Sequence, residues 1–285
     1  MPDYKSIERL NAPGLTDYHC HCDYSIDATG TIDEYCEVAI RRGLAEICFT
    51  THWDTNPAGS GQDNVIRIAG LSKPAVPDNL TPYVEDVLRA RNEFAPRGLS
   101  VVLGLEYGWF PGCEESAARL KERYPFDYFL CGIHEVDSRC FSCEQCFPKC
   151  FPHYTVEQLV DKYVGEVEAA ARSGLFDCIA HLDYIRKYGE AYYGSRINEL
   201  LLEQLTARAF LVLASGKTAL EVNTSAIRRG YDDNFPRASI VNAARRAGVE
   251  VRYLGSDAHA PGQVGYDFDA AASLVLPWSE AWCED

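Results

Sequence analysis

Residues 15–21, LTDYHCH, run from a short apolar segment directly into two histidines. His19 and His21 are two positions apart, and side chains at positions i and i+2 of an extended chain point to the same face. Both imidazoles can therefore reach one metal ion, and neutral imidazole is a good ligand for zinc, manganese and iron. The stretch predicts a β-strand that delivers a metal site at its carboxyl end.

The same arrangement, an apolar or β-branched run that leads into a histidine or carboxylate, recurs along the chain. We predict seven strands, near residues 15–18, 46–50, 99–106, 126–132, 176–181, 218–223 and 250–255. Further candidate ligands stand at or just after strand ends, in the motifs THWD (51–54), GLE (104–106), GIH (132–134), AHLD (180–183) and SDAH (256–259). A single buried histidine is usually a core residue, but six histidines at successive strand ends indicate a shared metal site.

Helix-patterned segments separate these strands. Thr31 with Glu34, and Thr155 with Gln158, have the spacing of capping boxes at helix starts. Strands that alternate with helices predict parallel pairing. Because ligands from many strands must meet at one end, we expect a seven-stranded (β/α) barrel with its metal site at the carboxyl ends of the strands. An open doubly wound sheet would gather ligands from only a few neighbouring strands.

Composition limits the classes of function that are open to the chain. Its 285 residues are 47% hydrophobic, and no domain linker is visible, so we expect a single domain over residues 1–285. The sequence has no run of about 18 apolar residues, so no membrane span is predicted. Its first residues do not have the pattern of a signal peptide. We therefore expect a cytoplasmic protein. A net charge of −15 disfavours binding to long nucleic acids, although a small phosphate could still bind in a local basic pocket.

In this order, the HxH, TxHxD, GLE, GIH, AHLD and SDAH elements resemble the polymerase and histidinol phosphatase (PHP) superfamily, over residues 17 to about 271. The resemblance implies a distorted seven-stranded barrel with three divalent metal ions, which could be zinc, manganese or iron. It implies one metal held by His19, His21, Glu106 and Asp257, a second by Glu106, His134 and His181, and a third by Asp27, His52 and His259. Glu106, Asp257 and His259 are also the candidates for direct participation in catalysis.

Further stretches resemble the monofunctional histidinol-phosphatase branch, namely LGLEY (103–107), YPFDY (124–128), SGLFD (173–177) and EVNTS (221–225). The implied reaction is hydrolysis of L-histidinol phosphate to L-histidinol and phosphate, a step of histidine biosynthesis. Bound metals lower the pKa of water, so that hydroxide is available near neutral pH to attack phosphorus. Two alternatives stay open: a phosphoesterase for another small ester or a nucleotide, and a non-catalytic metal- or redox-sensing module.

A phosphate group also attracts cationic side chains outside the metal ligands. Arg186, Lys187, Arg228 and Arg229 follow the fifth and sixth predicted strands, on the face where the metal site is expected. Arg186 and Arg228 are the stronger candidates for phosphate contacts, followed by Lys187 and by His153 in the long fourth loop. The alternative for each is an ordinary solvated loop residue.

Four of the twelve cysteines cluster in a predicted insertion at about residues 138–152, with the spacing Cys140-x2-Cys143-x2-Cys146-x3-Cys150. This spacing occurs in bacterial iron–sulfur proteins, but it would also suit one structural zinc ion. The third interpretation is that the four cysteines are free thiols in a reducing cytosol. For a chain without an export signal, we expect reduced thiols or metal ligands rather than disulfides.

Overall fold

The structure, a computed structural model, describes residues 7–11, 14–59 and 64–275, so the predicted domain of residues 1–285 extends beyond it at both ends. The strands are β1 Thr16–Cys20, β2 Glu46–Phe49, β3 His52–Trp53, β4 Val65–Ile68, β5 Leu71–Pro74, β6 Ser100–Gly108, β7 Tyr128–Gly132, β8 Glu135–Val136, β9 Arg139–Cys140, β10 Cys178–Ile179, β11 Ala219–Asn223 and β12 Val251–Gly255. The α-helices are α1 Ile32–Arg42, α2 Pro77–Phe94, α3 Glu114–Arg123, α4 Phe147–Cys150, α5 Val156–Ser173, α6 Arg186–Tyr193, α7 Arg196–Gln204, α8 Phe210–Ser215, α9 Ser225–Arg228, α10 Ala238–Arg246 and α11 Phe268–Ala271.

Seven parallel strands form the main sheet, in the order β1-β2-β6-β7-β10-β11-β12. Each of them overlaps one of the seven predicted runs, and β3 pairs beside them with the end of β6. The two outer strands of this order meet through a parallel bridge between Cys20 and Ala258, where the His21 amide donates to the Ala258 carbonyl at 2.8 Å. The sheet is therefore a nearly closed barrel, and the fold prediction is confirmed.

Asp17 links β1 to the segment that follows β12 through hydrogen bonds. Its buried carboxylate lies in β1 and accepts hydrogen bonds from the Ser256 amide at 2.9 Å and the Ser256 hydroxyl at 2.6 Å, just beyond β12. The Gly265 amide donates to the same carboxylate at 2.8 Å. Burial raises the pKa of Asp17, and these donors oppose that effect because they stabilise the carboxylate. The closure of the barrel thus fixes the strand that carries His19.

Helices cover the outside of the barrel, as the capping signals predict. The Thr31 side chain accepts from the Glu34 amide while Glu34 bonds back to Thr31, which completes a capping box at the start of α1. Thr155 and Gln158 do the same for α5. The residues of β6, β7 and β11 are buried almost without exception, as is usual for parallel strands covered on both faces. The carboxyl ends of the strands are consequently held on a rigid frame.

The Cys-rich insertion has a structure of its own. It consists of the small antiparallel pair β8–β9 and the short helix α4, followed by a single turn of 3-10 helix at Phe151–His153. It packs beside α6, which begins five residues after His181. This places the insertion at the carboxyl end of the barrel.

Candidate metal centre

The candidate ligands meet at the carboxyl ends of the barrel strands. His19 and Glu106 lie within β1 and β6, His52 lies in β3, and the others follow strand ends. The structure brings together all nine residues that the sequence singles out as metal ligands, namely His19, His21, Asp27, His52, Glu106, His134, His181, Asp257 and His259.

Glu106 is at the middle of this group and is fully buried. Its Oε1 atom lies 3.2 Å from His181 Nε2 and 3.3 Å from His134 Nε2. Its Oε2 atom lies 2.8 Å from His52 Nδ1. One carboxylate therefore faces imidazole nitrogens on both of its oxygens, which is the arrangement that a bridging ligand requires.

His19 and His21 share the other side of Glu106. Their Nε2 atoms are 3.0 Å apart, and each lies 3.4 Å from Glu106 Oε2. Asp257 Oδ1 is 3.4 Å from His21 Nε2 and 3.7 Å from His19 Nε2. Four ligand atoms thus converge on one small space, as the i, i+2 spacing of the two histidines predicts.

A third subset lies nearer the surface. Asp27 Oδ2 is 3.1 Å from His259 Nε2 and 3.7 Å from His52 Nε2. The ring of His21 stacks on that of His52 at 4.1 Å and approaches that of His259 at 4.4 Å. Ring nitrogens of these three histidines all lie within 4.8 Å of one another.

The protonation equilibria favour metal-binding forms for several members. Burial lowers the pKa of His21 well below its usual value, and His52 and His259 lower it further. Burial also lowers the pKa of His181. Burial by itself would raise the pKa of Glu106, but His19 and His52 hold it well below its usual value. Burial opposes protonation of His19, His52 and His134, but nearby carboxylates, Glu106 among them, raise the pKa of all three. Neutral imidazoles around an ionised carboxylate bind divalent metals, so a metal ion has to displace the protons of these three rings when it binds.

The residues present fit a divalent metal centre. Among the described residues, the buried Oε2 atom of Glu106 has no hydrogen-bond partner, although three ring nitrogens surround it within 3.4 Å. The buried Nδ1 atoms of His52 and His181 also lack hydrogen bonds there. Lone pairs that converge in a water-excluded space are costly unless a cation or donor satisfies them. Nitrogen and carboxylate donors of this kind suit zinc, manganese or iron.

Two acidic residues outside this set orient its imidazoles. Glu221 in β11 is buried, approaches His19 Nδ1 at 3.0 Å and accepts the backbone N–H of His181 at 2.9 Å. Asp54 Oδ1 lies 3.2 Å from His134 Nδ1. Sequence reasoning assigned no role to either residue, although Asp54 closes the THWD motif and Glu221 is an acid in an otherwise apolar strand. Such partners fix the ring orientation and tautomer of metal-binding histidines.

Two glycines leave the space that the side chains need. A Cβ atom at Gly132 would lie 2.5 Å from the His134 ring and 2.6 Å from Glu106 Oε1. One at Gly255 would lie 2.4 Å from Glu221 Oε2 and 2.7 Å from His19 Cβ. Real Cβ atoms do not approach neighbours this closely, so the glycine of the GIH motif is a requirement of packing around Glu106.

Two of the candidate ligands have unusual backbone conformations. His181 has φ of 31° and Asp257 has φ of 50°, and both are L-residues in the left-handed region. Such conformations are strained for residues other than glycine, and they concentrate at functional sites. The backbone at these two positions is therefore set by where the side chain must point.

A cavity of about 340 Å³ opens beside the ligands. Six of the candidate ligands line it, namely Asp27, His52, His134, His181, Asp257 and His259. Its other lining residues are Asp54, Ser142, Cys143, Glu144, Tyr184, Lys187, Tyr188 and Arg229. The cavity thus combines the ligand cluster with two cationic side chains.

Of the basic residues that the sequence suggested for phosphate contacts, Lys187 lines this cavity, and so does its fellow candidate Arg229. The Lys187 ammonium donates to the Ser142 carbonyl and to the Tyr184 hydroxyl, both at 2.7 Å. Burial, to which the charge of Arg229 adds, lowers the pKa of Lys187 to about 7. The amine can therefore gain or lose its proton near neutral pH.

The other candidates point elsewhere. Arg186 is fully buried, where its Nε lies 3.1 Å from Asp183 Oδ2 and its Nη2 donates to the Asn234 carbonyl at 2.7 Å. Arg228 donates to the carbonyls of Ser256 and Asp257 at 2.8 and 2.9 Å. His153 is exposed and is not among the residues that line the cavity. Arg186 and Arg228 thus support the loops that carry the site.

The cysteine cluster departs from the expectation of reduced or metal-bound thiols. Cys143 and Cys146 form a disulfide, so that expectation is wrong for this pair. The turn that leads into α4 brings their Cα atoms to 5.1 Å, which is within the range that a disulfide spans. The Cys140 sulfur lies within 4.8 Å of both, whereas the buried Cys150 does not belong to this group.

The chain is similar to a known domain family and to proteins named as phosphatases. The PHP domain family model matches residues 17–225. A probable histidinol-phosphatase of Deinococcus radiodurans is 33% identical over 263 residues, which cover 92% of this chain and 93% of that protein. The histidinol-phosphatase of Lactococcus lactis subsp. lactis is 25% identical, over 85% of this chain and 83% of that protein.

Solved structures show the same fold. The Lactococcus lactis histidinol phosphate phosphatase, which was crystallised with zinc, L-histidinol and phosphate, has a TM-score of 0.74 at 22% identity and covers 93% of both chains. The structure of a protein described as a putative histidinol phosphatase of Listeria monocytogenes has a TM-score of 0.75 at 17% identity, over 90% of this chain and 99% of that one. At these identities the likeness supports the barrel fold alone.

Proposed function

The chain belongs to the PHP domain family, and from this premise we propose that it is a metal-dependent phosphatase that hydrolyses L-histidinol phosphate to L-histidinol and phosphate. The observation that carries the proposal is the convergence of eight imidazole and carboxylate side chains around the buried Glu106, beside a cavity that also presents Lys187 and Arg229. The relative of 33% identity supports the choice of substrate.

The metal complement that we propose is three divalent ions, as the family resemblance implies. The ligand sets are His19, His21, Glu106 and Asp257 for the first, Glu106, His134 and His181 for the second, and Asp27, His52 and His259 for the third. When bound, such ions make hydroxide available from water near neutral pH and offset the charge that develops on the phosphoryl oxygens. Glu106 joins the first two sets because its Oε2 atom faces His19 and His21 while its Oε1 atom faces His134 and His181.

We propose that Lys187 and Arg229, which line the cavity together with the ligands, bind the phosphoryl oxygens. A guanidinium can donate two parallel hydrogen bonds to a phosphate, and an ammonium supplies a compact positive charge. Arg186 and Arg228 act indirectly, because their donors are engaged by protein carbonyls and by Asp183. His153 has no place in this proposal.

The remaining catalytic candidates differ in whether they line the cavity. Asp257 and His259 line the cavity and would face the substrate, while Glu106 is fully buried and acts through the ligand cluster. Asp54 and Glu144 also line the cavity and offer carboxylates to the ammonium group of the amino alcohol. Glu221 and Asp54 keep His19 and His134 in their ligand orientations.

We further propose that residues 1–285 form one catalytic domain that carries the Cys-rich insertion and works in the cytoplasm. No helix in the described part of the chain combines the length and the apolar character that a membrane crossing needs.

The test is phosphate release from L-histidinol phosphate by the full-length protein, compared with a panel of sugar phosphates, nucleotides and an aryl phosphate. We expect turnover of L-histidinol phosphate to exceed that of every other ester, to disappear on chelation and to return with zinc or manganese. A Glu8→Gln variant, changed at an exposed acid that is neither a candidate ligand nor part of the cavity lining, is the matched control for Glu106→Gln.

Metal-dependent turnover of another ester in preference to L-histidinol phosphate would refute the proposed substrate. It would still support the proposal that the chain is a metal-dependent phosphatase. Binding of the esters without turnover, with every metal tried, would favour a sensing module instead.

A further inference from the structure

The Cys-rich insertion forms part of the wall of the cavity. Cys143 and Glu144 line the cavity directly, and the Ser142 carbonyl accepts the hydrogen bond from the Lys187 ammonium. The ring of Phe147 in α4 stacks on Tyr188 at 4.5 Å with an angle of 14° between the planes. The position of this segment therefore determines where Lys187 and Tyr188 lie.

Three sulfurs of the insertion form a compact group. The Sγ atoms of Cys140, Cys143 and Cys146 all lie within 4.8 Å of one another. In a tetrahedral zinc site with Zn–S bonds of about 2.3 Å, the sulfurs are about 3.8 Å apart. A four-iron cluster sits between its thiolates and holds them farther from one another. Two of these sulfurs are joined in the disulfide, so their separation does not discriminate between the two, but the number of sulfurs does. A four-iron cluster takes four thiolates, and Cys150 lies outside the group, so the three sulfurs that come together suit a single ion.

We propose that in the reduced protein Cys140, Cys143 and Cys146 bind one zinc ion, distinct from the catalytic metals, and that this ion fixes the wall segment that holds Lys187. The proposal deepens the proposed function, on which its consequence for substrate binding rests. Three protein thiolates leave the fourth position to water or another small ligand. The disulfide and the metal exclude each other, because both require the sulfurs of Cys143 and Cys146.

The chemistry of the two sites keeps them separate. The catalytic set offers imidazole nitrogens and carboxylate oxygens, while the insertion offers sulfur, which zinc binds as thiolate. Cys143 and Cys146 are partly exposed, so a reductant and a metal ion can reach them without unfolding of the barrel. Cys150 is buried and does not belong to the sulfur group, which makes it the matched control within the same segment.

The experiment uses cobalt(II) as the probe, because thiolate ligands give it an intense near-ultraviolet charge-transfer absorption that nitrogen and oxygen ligands do not give. The full-length protein is reduced with a phosphine, stripped of metal by chelation and titrated with cobalt without oxygen. We expect the thiolate absorption in the wild type, its displacement by zinc, and its loss in Cys143→Ser and Cys146→Ser. Cys150→Ser should keep it.

Three results would overturn the assignment: no thiolate absorption in the reduced wild type, absorption that survives in both Cys143→Ser and Cys146→Ser, or loss of absorption in Cys150→Ser. Formation of an iron–sulfur chromophore with iron and sulfide, in protein that binds no zinc at these thiols, would also overturn it. The readout needs no substrate, so it stands even if the phosphatase proposal fails. In kinetics, we expect Cys143→Ser to raise KM for L-histidinol phosphate about tenfold and to change kcat much less, because Lys187 loses its fixed position.

Discussion

Lys187 should make substrate binding depend on pH in a way that arginine at the same position would not. Burial lowers the pKa of this amine to about 7, from an ordinary value of 10.5. Below pH 7 the free enzyme has the ammonium that the phosphate needs. At pH 9 only about 1% of a group with that pKa is protonated, so binding must first restore the proton.

The expected size follows from this equilibrium. Above the pKa, kcat/KM for L-histidinol phosphate should lose about tenfold per pH unit through Lys187, since one pKa unit corresponds to about 1.4 kcal/mol. Lys187→Arg keeps its charge throughout and should lack this decline. The kcat/KM of Lys187→Met should be about 10-fold to 100-fold below that of wild type at pH 6, because the substrate has lost a hydrogen bond from a charged donor.

The assay is the initial rate of phosphate release between about pH 6 and about pH 9, at saturating metal, for wild type, Lys187→Arg and Lys187→Met. The ratio of wild type to Lys187→Arg isolates the lysine, because the other ionisations of the centre cancel. A ratio that does not change across this range would refute the reasoning. So would an alkaline decline of the same slope in Lys187→Met.

Other perturbations test the remaining parts of the site. In the metal-free wild type, the free energy of unfolding should rise between about pH 7 and the ordinary lysine pKa of 10.5, because in that range only the unfolded chain keeps Lys187 protonated. The Lys187→Met variant should lack this rise, which urea titrations of wild type and variant at several pH values measure. Glu106→Gln should reduce the bound metal measured by elemental analysis and lower kcat at least about 100-fold, and a full metal complement would contradict its bridging role. Glu221→Gln should weaken metal affinity about 10-fold to 100-fold in chelator competition, because it holds His19, while an unchanged affinity would exclude that role. Arg186→Met should lower the unfolding free energy by about 3–5 kcal/mol, because Asp183 loses its buried partner, and should change KM little; a large rise in KM with normal stability would instead indicate substrate contact.

The sequence predicted the barrel and the ligand cluster because both depend on local patterns. The β-branched runs that predict strands lead into histidines. Parallel pairing brings the ends of those strands together irrespective of the conformation of the loops. The choice between neighbouring cations could not be predicted in this way. Arg186 and Lys187 are adjacent on α6, so they point in different directions, and only the packing of that helix decides which of them reaches the cavity.

The cysteines and Glu221 show two other limits of prediction from the sequence. The spacing of Cys143 and Cys146 is compatible with a disulfide as well as with a shared metal, and sequence spacing does not distinguish the oxidation states. Glu221 carries a signal that could have been used, since an acid within an apolar strand must find a partner. That its partners are His19 and the His181 amide depends on how β11 lies next to its neighbours in the barrel.

The left-handed backbone at His181 and Asp257 has a consequence for the divergence of the family. Each such conformation costs about 1–3 kcal/mol in a residue with a side chain. Selection for metal binding holds that cost in place. In a descendant that no longer needed the metals, glycine at either position would relieve the strain, and the fold would become more stable. We therefore expect these two positions to be among the first to change in inactive relatives, ahead of ligands such as His19, whose backbone in β1 is not left-handed.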